Sequence, residues 1–431
     1  MLLVDKEHIK VFLIDLFFFV TALIITLSDG ATLPIIGYAL IILSIYMIIK
    51  TRRTKYLFIL ILIVSIINIS IGINDFVQMG KGISAWQSSK LRNTEYDILS
   101  AKSVLLFISV VNFFINGKCC EDDNQYNIDD YSFDWGSNKV ISYVGLVALY
   151  VLLLYAIRHE ILLRFLGTYV SVSNPIYEYS VVIFVLVWLY SKDLKAVRIF
   201  HLIYAFLFSI AFLLIGDRSS VSMYVLAVLL MATAKYHKIK PIRIIIFIII
   251  GILGVNLIGL IRDNPVNSLS EIVGGLIDRA FYLDTASWAY YSGITIIAAG
   301  INSTNVGQLF LSFIESIFGM SNQFSNMPEY ARSQSSLYYN LGGGFFASYF
   351  YAWLGILGVI ISAAIVGYII NRIFNRTSRL AIYYQQLLIV FVIRWYVYTP
   401  LCFFRSIFVV GSLAYFVCKT INDTMIRNTN R

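Results

Sequence analysis

Long apolar runs recur along the whole chain, and they constrain its fold more than any other feature. A helix that spans a bilayer needs about 20 mostly apolar residues. Of the 431 residues, 59% are hydrophobic and only 13% are charged, about half the charged fraction of a typical soluble domain. A water-soluble fold of this size cannot bury so much apolar surface, whereas a bilayer accommodates it. We therefore predict an all-α, polytopic membrane protein.

Twelve runs are apolar enough to be candidate spans. They are residues 11–27, 33–49, 56–73, 98–115, 139–157, 176–190, 199–215, 219–234, 242–261, 345–370, 380–398 and 401–418. Asp15 interrupts the first run, and Lys102 makes the fourth the weakest. The first run is too long for a signal-peptide core and is followed by no cleavage site, so we expect it to be retained as a helix.

Lysine and arginine are concentrated in four short links, around residues 50–55, 192–198, 235–243 and 372–379. The positive-inside rule assigns all four to the cytoplasm, together with both termini. This orientation requires an odd number of crossings between the third span and Lys192, which supports the weak fourth span. The net charge of +9 follows from the same rule and gives no reason to expect nucleic acid as a partner.

The longest link, residues 262–344, lies between the ninth and tenth spans and is predicted to be a large periplasmic loop. Its apolar stretches, 280–299 and 308–318, predict interfacial or re-entrant helices. A long loop with its own helices is typical of a lid or binding element. No internal repeat relates the two halves, and we expect residues 1–431 to form a single integral-membrane domain.

Arginine occurs on the outer side, where the positive-inside bias should deplete it. Four arginines map to outer links and two to the outer ends of the last spans: Arg218, Arg262, Arg279, Arg332, Arg394 and Arg405. An arginine in the membrane costs about 3 kcal/mol unless it reaches an interface or a water-filled cavity. Each one alone is compatible with a snorkelling side chain or an interface anchor. Their number predicts a basic, hydrated cavity that opens to the outer side.

A basic cavity inside a bilayer suits an anionic, lipid-linked substrate. A guanidinium donates two parallel hydrogen bonds to phosphate, so a pyrophosphate head would lie at the interface with its lipid tail between helices. Aromatic residues make up 16% of the chain and include Tyr338 in the long loop. Such rings are common at membrane interfaces, and sugar faces also stack on them.

The acid–base candidates on the outer side are carboxylates, because the long loop contains no histidine. They are Asp217, Asp278, Asp284 and Glu315, and the sequence does not choose among them. The cysteines predict neither a disulfide framework nor a zinc site, and no metal-ligand spacing or P-loop occurs in a usable context.

Three short motifs carry a family resemblance. The first is Gly216-Asp217-Arg218-Ser219-Ser220, at the outer start of an apolar helix. The second is Arg279 with Asp284 and Trp288, early in the long loop. The third is the glycine-rich entry to the helix that follows the loop, from Asn340 through Gly342-Gly343-Gly344 to Gly358. With the hydropathy pattern, these motifs resemble the O-antigen polymerase (Wzy) family of bacterial cell-envelope proteins.

The resemblance implies a GT-C-like membrane glycosyltransferase of the bacterial inner (cytoplasmic) membrane, with its active site facing the periplasm. Such enzymes polymerise undecaprenyl-pyrophosphate-linked oligosaccharide repeat units in lipopolysaccharide and related polysaccharide biosynthesis. They use no nucleotide sugar, no metal and no other cofactor. The expected partners are the lipid-linked oligosaccharide, membrane lipid and a chain-length regulator protein, and no nucleic acid.

The same resemblance implies roles for individual residues. Arg218 and Arg279 would hold the pyrophosphate and stabilise its charge as it leaves, and Asp284 would orient or deprotonate the acceptor hydroxyl. The remaining substrate-binding candidates are Arg262, Arg332, Arg394, Arg405, Asp217 and Tyr338.

Two other functions stay open. An O-antigen ligase performs related chemistry, but that family is expected to carry an essential histidine in its large periplasmic loop. A lipid-linked oligosaccharide flippase would suit twelve spans, although transporters often contain two related halves.

Overall fold

Helices form the regular structure in the part of the chain that the computed structural model describes. That part comprises residues 6–78, 91, 94–115, 135, 137–158, 175–215, 217–235, 242–243, 245–246, 249–251, 274, 283–320, 326–335 and 343–429. Within it there is no β-strand, and Ser137 and Ser191 form an isolated bridge. The all-α prediction is confirmed for these residues.

The described α-helices are numbered here in chain order. They are α1 (Lys6–Leu27), α2 (Leu33–Thr51), α3 (Lys55–Ile71), α4 (Glu95–Phe114), α5 (Lys139–Ala156), α6 (Pro175–Leu189), α7 (Lys195–Ile215), α8 (Arg218–Lys235), α9 (Asp284–Ile301), α10 (Val306–Ile317), α11 (Met327–Gln334), α12 (Phe346–Phe374), α13 (Arg379–Val390) and α14 (Gly411–Thr429). Among the described residues, π-helical segments accompany them at Gly72–Val77 after α3, Arg394–Tyr398 after α13 and Cys402–Val410 before α14, and residues 157–158 after α5 are also π-helical. Such wide turns are rare and occur often at functional sites.

Eight helices in the described part are long and apolar enough to cross a bilayer. They are Ile9–Leu27, Leu33–Thr51, Lys55–Val77, Glu95–Phe114, Lys139–Ala156, Lys195–Leu213, Phe346–Phe374 and Cys402–Met425. Several expose large apolar side chains along one face, such as Phe17 of α1 and Val147 of α5. Because water-soluble proteins rarely expose extended apolar surfaces, these faces are expected to contact lipid. The chain is an all-α, multi-pass membrane protein.

The other four predicted spans differ in detail from this set. Residues 176–190 and 219–234 coincide with the shorter apolar helices α6 and α8. Most of 242–261 lies outside the described residues. The run 380–398 is interrupted at Phe391, between α13 and the following π-helical segment. The count of twelve spans and their orientation stay predictions.

The residues fall into two compact units, each built from separate stretches of chain. The first comprises Met1–Glu121, Lys240–Asn375 and Trp395–Pro400. The second comprises Asp122–Ile239, Arg376–Arg394 and Leu401–Arg431. The first unit therefore contains α1–α4 and α9–α12, and the second contains α5–α8, α13 and α14.

Charged residues inside the first unit's spans have polar partners. The Lys50 ammonium of α2 lies 2.8 Å from the Asp15 carboxylate of α1, and the Asn112 amide donates to the same carboxylate at 3.0 Å. Lys102 of α4 donates to the carbonyl of Ser28 at 2.8 Å. Charged groups persist in a bilayer when such partners compensate them. This explains how the first and fourth predicted spans form despite their ionisable residues.

Helix α12 is broken at Gly355, whose φ of 62° and ψ of −149° are not helical. Both sides of the break contact a short stretch of α4: Phe346 packs on Phe107 with ring centroids 5.2 Å apart, and Gly367 approaches Val111. A straight helix would separate Phe346 from Gly367 by about 30 Å, whereas Phe107 and Val111 lie about 6 Å apart along α4. The two arms of α12 therefore fold back on one another.

The bend in α12 requires a second glycine. A Cβ added at Gly358 would collide with the carbonyl oxygen of Phe350, so the two arms touch through backbone there. The long arm, residues 356–374, measures about 28 Å and is still long enough to cross a bilayer. The glycine pattern after the long loop thus has a structural reason, which is the tight turn of a helical hairpin.

Helix α9 lies within the region predicted as an outer loop, yet it is buried in the first unit, where it packs against α3, α4 and α12. Tyr290 and Ile296 are almost completely buried. Gly293 allows the close approach, because an added Cβ would lie 2.5 Å from the Ser348 hydroxyl of α12. Part of the predicted loop is therefore packed into the helical core.

The second unit has an aromatic core at one end of α6 and α13. The buried ring of Trp135 makes edge contacts with Tyr190, Tyr383 and Tyr415, at centroid distances of 5.4, 6.2 and 5.6 Å. Deeper in the unit, His201 of α7 is fully buried, and its Nε2 lies 2.8 Å from the carbonyl oxygen of Phe184. This packing positions α8 and α13, which carry the candidate site described next.

Candidate functional site

The first motif forms the N-terminal cap of α8. The Asp217 carboxylate accepts a hydrogen bond from the backbone N–H of Ser220 at 3.1 Å and from the Ser219 and Ser220 hydroxyls at 2.7 and 2.6 Å. A carboxylate at this position satisfies amide groups that have no partner within the helix, and it complements the helix dipole. The sequence Asp-Arg-Ser-Ser therefore starts a helix with an ordered, polar first turn.

Arg394, the first residue of the π-helical segment that follows α13, contacts this capped turn. Its guanidinium donates to the Ser220 hydroxyl at 2.9 Å and lies 3.6 Å from the Asp217 carboxylate. The Arg394 side chain is 9% exposed, against 26% for Asp217, so the arginine is the more enclosed partner. The structure thus brings two of the predicted site residues, Asp217 and Arg394, into one cluster.

Asp217 lies between α7 and α8, outside the membrane-spanning segments. Burial alone would raise the pKa of its carboxyl, but the Arg394 guanidinium and hydrogen bonds from Ser220 and Ser219 act in the opposite direction. The net effect is a pKa below the usual range of an aspartate. Asp217 therefore stays ionised at neutral pH, which makes it a hydrogen-bond acceptor and a weak general base.

Arg405 lies in the π-helical segment Cys402–Val410 of the second unit. It is partly buried, and its Nε is fully enclosed without a hydrogen-bond partner. Among the described residues, no carboxylate lies within ion-pair distance of its guanidinium. A membrane-segment arginine with no internal anion is costly, so an anion from outside the described chain would stabilise it.

Of the other predicted catalytic and substrate-binding residues, the structure describes the side chain of Arg332 only. Arg332 is exposed near the end of α11. Arg218 starts α8 and Asp284 starts α9, but their side chains lie outside the described residues. Also outside the described residues are three predicted substrate or catalytic residues and one alternative base, namely Arg262, Arg279, Tyr338 and Asp278. Glu315, another alternative base, is exposed on α10.

Two buried carboxylates in the first unit were not anticipated from the sequence. Asp75, in the π-helical extension of α3, is 3% exposed and accepts a hydrogen bond from the Ser287 hydroxyl of α9 at 2.7 Å. Asp97, in the first turn of α4, is 2% exposed and accepts a hydrogen bond from the Tyr290 hydroxyl of α9. Buried ionisable groups of this kind are functional candidates in membrane proteins.

Hydropathy explains why both aspartates were missed. Asp75 follows the predicted third span by two residues, and Asp97 precedes the predicted fourth span by one residue. Residues just beyond a span boundary are normally interfacial and solvated. The burial arises because α9 packs over these span ends, and no local sequence pattern predicts that contact. A search for carboxylates next to span boundaries would have identified them as candidates.

A further polar pair lies in the first unit, between α3 and the segment after Arg394. The Tyr396 hydroxyl donates to the Asn68 side-chain carbonyl at 2.6 Å, and both residues are buried. The Asn68 amide nitrogen is enclosed and has no hydrogen-bond partner. An unpaired buried donor costs roughly 1–3 kcal/mol, which would favour a water or a ligand atom at this position.

The described residues contain no group of three or more histidine, cysteine, aspartate or glutamate side chains that could hold a metal ion. Comparison of the chain with protein-family models, curated proteins and solved structures finds no match.

Proposed function

We propose that this protein polymerises undecaprenyl-pyrophosphate-linked oligosaccharide repeat units on the non-cytoplasmic face of the bacterial inner membrane. The observation that carries the proposal concerns Arg405, a partly buried arginine in a membrane segment. No carboxylate of the described residues lies within ion-pair distance of its guanidinium. A diphosphate on a lipid anchor is an anion that reaches this environment. The motif resemblance to the Wzy family, including Asp217-Arg218-Ser219-Ser220, supports the same assignment.

Arg394 and Arg405, both in the second unit, differ in how far a neighbouring carboxylate neutralises their positive charge. Arg394 is compensated by Asp217 and held by Ser220, so it provides a rigid donor with little net charge. Arg405 has no such compensation among the described residues. A rigid donor and an uncompensated cation are both useful where negative charge develops on a leaving group, because neither has to reorganise during the reaction.

The proposed reaction forms one glycosidic bond and breaks one glycosyl-phosphate bond. The acceptor hydroxyl oxygen attacks the anomeric carbon of the growing chain, and the bond to the undecaprenyl-pyrophosphate oxygen breaks. The electron pair leaves with the diphosphate, whose charge arginines such as Arg218 and Arg279 stabilise. A carboxylate, for which Asp284 is our candidate, takes the hydroxyl proton. The balance needs no redox partner and no nucleotide.

Complementation of a deletion strain tests the proposal. Cells that carry Arg405→Ala should lose most of the long polysaccharide ladder while the protein is still inserted at normal level. Arg405→Lys should also be impaired, because lysine lacks the planar fork. Arg376→Ala is the matched control, since this arginine is exposed in the link between α12 and α13. A complete ladder in the Arg405→Ala strain would remove the main support for the proposal.

The buried aspartates favour a second candidate, a transporter of lipid-linked oligosaccharides. Carboxylates such as Asp75 and Asp97 are typical of proton relays, and broken helices are typical of transport sites. The deletion strain separates the two functions. Loss of a polymerase leaves single repeat units attached to the acceptor lipid, whereas loss of a transporter or of a ligase abolishes all attachment.

A further inference from the structure

Helix α10 (Val306–Ile317) has one face packed against the short arm of α12. Leu309 and Phe313 are buried, and the Phe313 ring packs on Trp353 with centroids 4.5 Å apart. Phe310 also contacts Trp353, at 5.7 Å. This face accounts for the docking of α10 onto the first unit and leaves the opposite face uncovered.

The uncovered face is also apolar. Leu311 is 62% exposed, Ile314 is 37% exposed and Phe318, directly after the helix, is 68% exposed. These three residues recur at intervals of three and four, so they form one line along the helix. We call this line the α10 stripe. A line of large exposed side chains in this position needs a partner, because exposed apolar surface of this kind is normally covered.

Polar residues occupy one edge of α10 and apolar residues the other. Gln308 and Glu315 are exposed and lie seven residues apart, on one side of the α10 stripe at about 100° per residue. Phe310 and Ile317 lie on the other side by the same count. A helix with one polar edge and one apolar edge can lie parallel to the membrane at its interface. Its polar edge then faces water and its apolar edge faces the acyl chains.

The α10 stripe adjoins a surface that already faces lipid. Trp353, on which α10 packs, is followed by Leu354 next to the break and by Leu357 at the start of the spanning arm of α12; these two residues are 47% and 69% exposed. The apolar surface thus continues from a bilayer-spanning helix to α10. From this continuity and the polar edge, we infer that α10 lies in the membrane interface and that the α10 stripe contacts bilayer lipid.

The inference is independent of the proposed enzymatic function. It adds a helix that lies along the membrane to the helices that cross it. It also implies that α10 is held at the bilayer surface by its own apolar contacts and does not belong to a freely solvated loop.

Fluorescence quenching of site-specifically labelled protein in liposomes tests the placement of α10. In full-length protein whose natural cysteines are replaced by serine, a single cysteine at Leu311 or Phe318 carries an environment-sensitive fluorophore. Both positions are mostly exposed, so the substitutions should not disturb folding, and a single symmetric size-exclusion peak checks this. Gln308→Cys, on the polar edge, is the matched control. The quenchers are a spin-labelled phosphatidylcholine in the bilayer and aqueous iodide.

We expect labels at Leu311 and Phe318 to be quenched by the lipid several-fold more strongly than the label at Gln308, with iodide showing the reverse order. Equal iodide quenching at all three positions would place the α10 stripe in water and refute the inference. Protection from both quenchers would also refute it, because a second copy or another protein would then cover the stripe. Oxidative cross-linking of the Leu311→Cys protein would identify a second copy.

Discussion

Asp217 combines two roles, and two substitutions separate them. As the N-cap of α8 it accepts a hydrogen bond from the Ser220 N–H, and as an anion it lies 3.6 Å from Arg394. Removing one partner of a buried ion pair costs 3–5 kcal/mol. We take about 3 kcal/mol, the lower end of that range, because the Asp217 side chain is 26% exposed to solvent. Loss of an N-cap adds about 1 kcal/mol.

Asp217→Asn should therefore lose about 3 kcal/mol and Asp217→Ala about 4 kcal/mol, because asparagine still caps the helix. In a chain of this size, 1 kcal/mol shifts the Tm by about 2 °C. Thermal unfolding in detergent, followed by tryptophan fluorescence, should give Tm values about 6 and 8 °C below that of the unmodified protein. The double variant Asp217→Asn with Arg394→Met also removes the cation that Asp217 compensates, and it should recover most of the loss.

The pH dependence follows from the direction of the Asp217 shift. The pKa is lower in the folded state than in the unfolded state, so the carboxylate contributes stability above about pH 4. That contribution is lost as the pH falls through the folded-state pKa. The Tm difference between the unmodified protein and Asp217→Asn should thus be constant near neutral pH and shrink in acid. Equal Tm values for the Ala and Asn variants, or no recovery in the double variant, would refute the assignment of two roles.

Three further substitutions test the first unit. Gly355→Ala should destabilise the protein by about 1–3 kcal/mol, because its backbone conformation is accessible almost only to glycine; Gly307→Ala, which meets no atom within 4 Å, should leave the Tm nearly unchanged. Lys50→Met should cost roughly 3–5 kcal/mol by leaving Asp15 without its cation, and adding Asp15→Asn should restore part of the Tm. Tyr290→Phe should cost about 1–3 kcal/mol through the lost hydrogen bond to a buried carboxylate, measured as increased hydrogen exchange in the peptides that contain α9.

Hydropathy and charge predicted much of the fold, because span length and apolar content are local properties. Eight of the predicted runs coincide with helices long enough to cross a bilayer, including the fourth run with Lys102. The charges of Asp15 and Lys102 argued against the first and fourth predicted spans, but tertiary contacts compensate both charges. Lys50 compensates Asp15, and the Ser28 carbonyl accepts from Lys102. Neither partner is recognisable from sequence spacing alone.

The candidate site was predictable only in part. The motif around Asp217 indicated the start of an apolar helix, and the position of Arg394 near the outer end of an apolar run indicated either a cavity residue or a snorkelling side chain. Their contact joins residues separated by more than 170 positions, and only the packing of α8 and α13 creates it. Asp75 and Asp97 were missed for the same reason, because α9 covers them from a region that hydropathy assigns to an outer loop.

The breaks in the predicted tenth and eleventh spans show why an apolar run does not imply a continuous helix. Non-helical backbone at membrane depth is stable only where other protein groups satisfy it. The Gly344 N–H donates to the carbonyl of Tyr398 at 3.1 Å, and the Tyr349 hydroxyl donates to the same carbonyl at 2.9 Å. The start of α12, with the residues just before it, and the end of the π-helical segment after Arg394 therefore satisfy one another. Glycine at 343 permits this approach, since an added Cβ would lie 2.8 Å from the Tyr398 ring. Hydropathy reveals neither break. Gly355 marks the break in the tenth run, whereas the eleventh run, residues 380–398, contains no glycine.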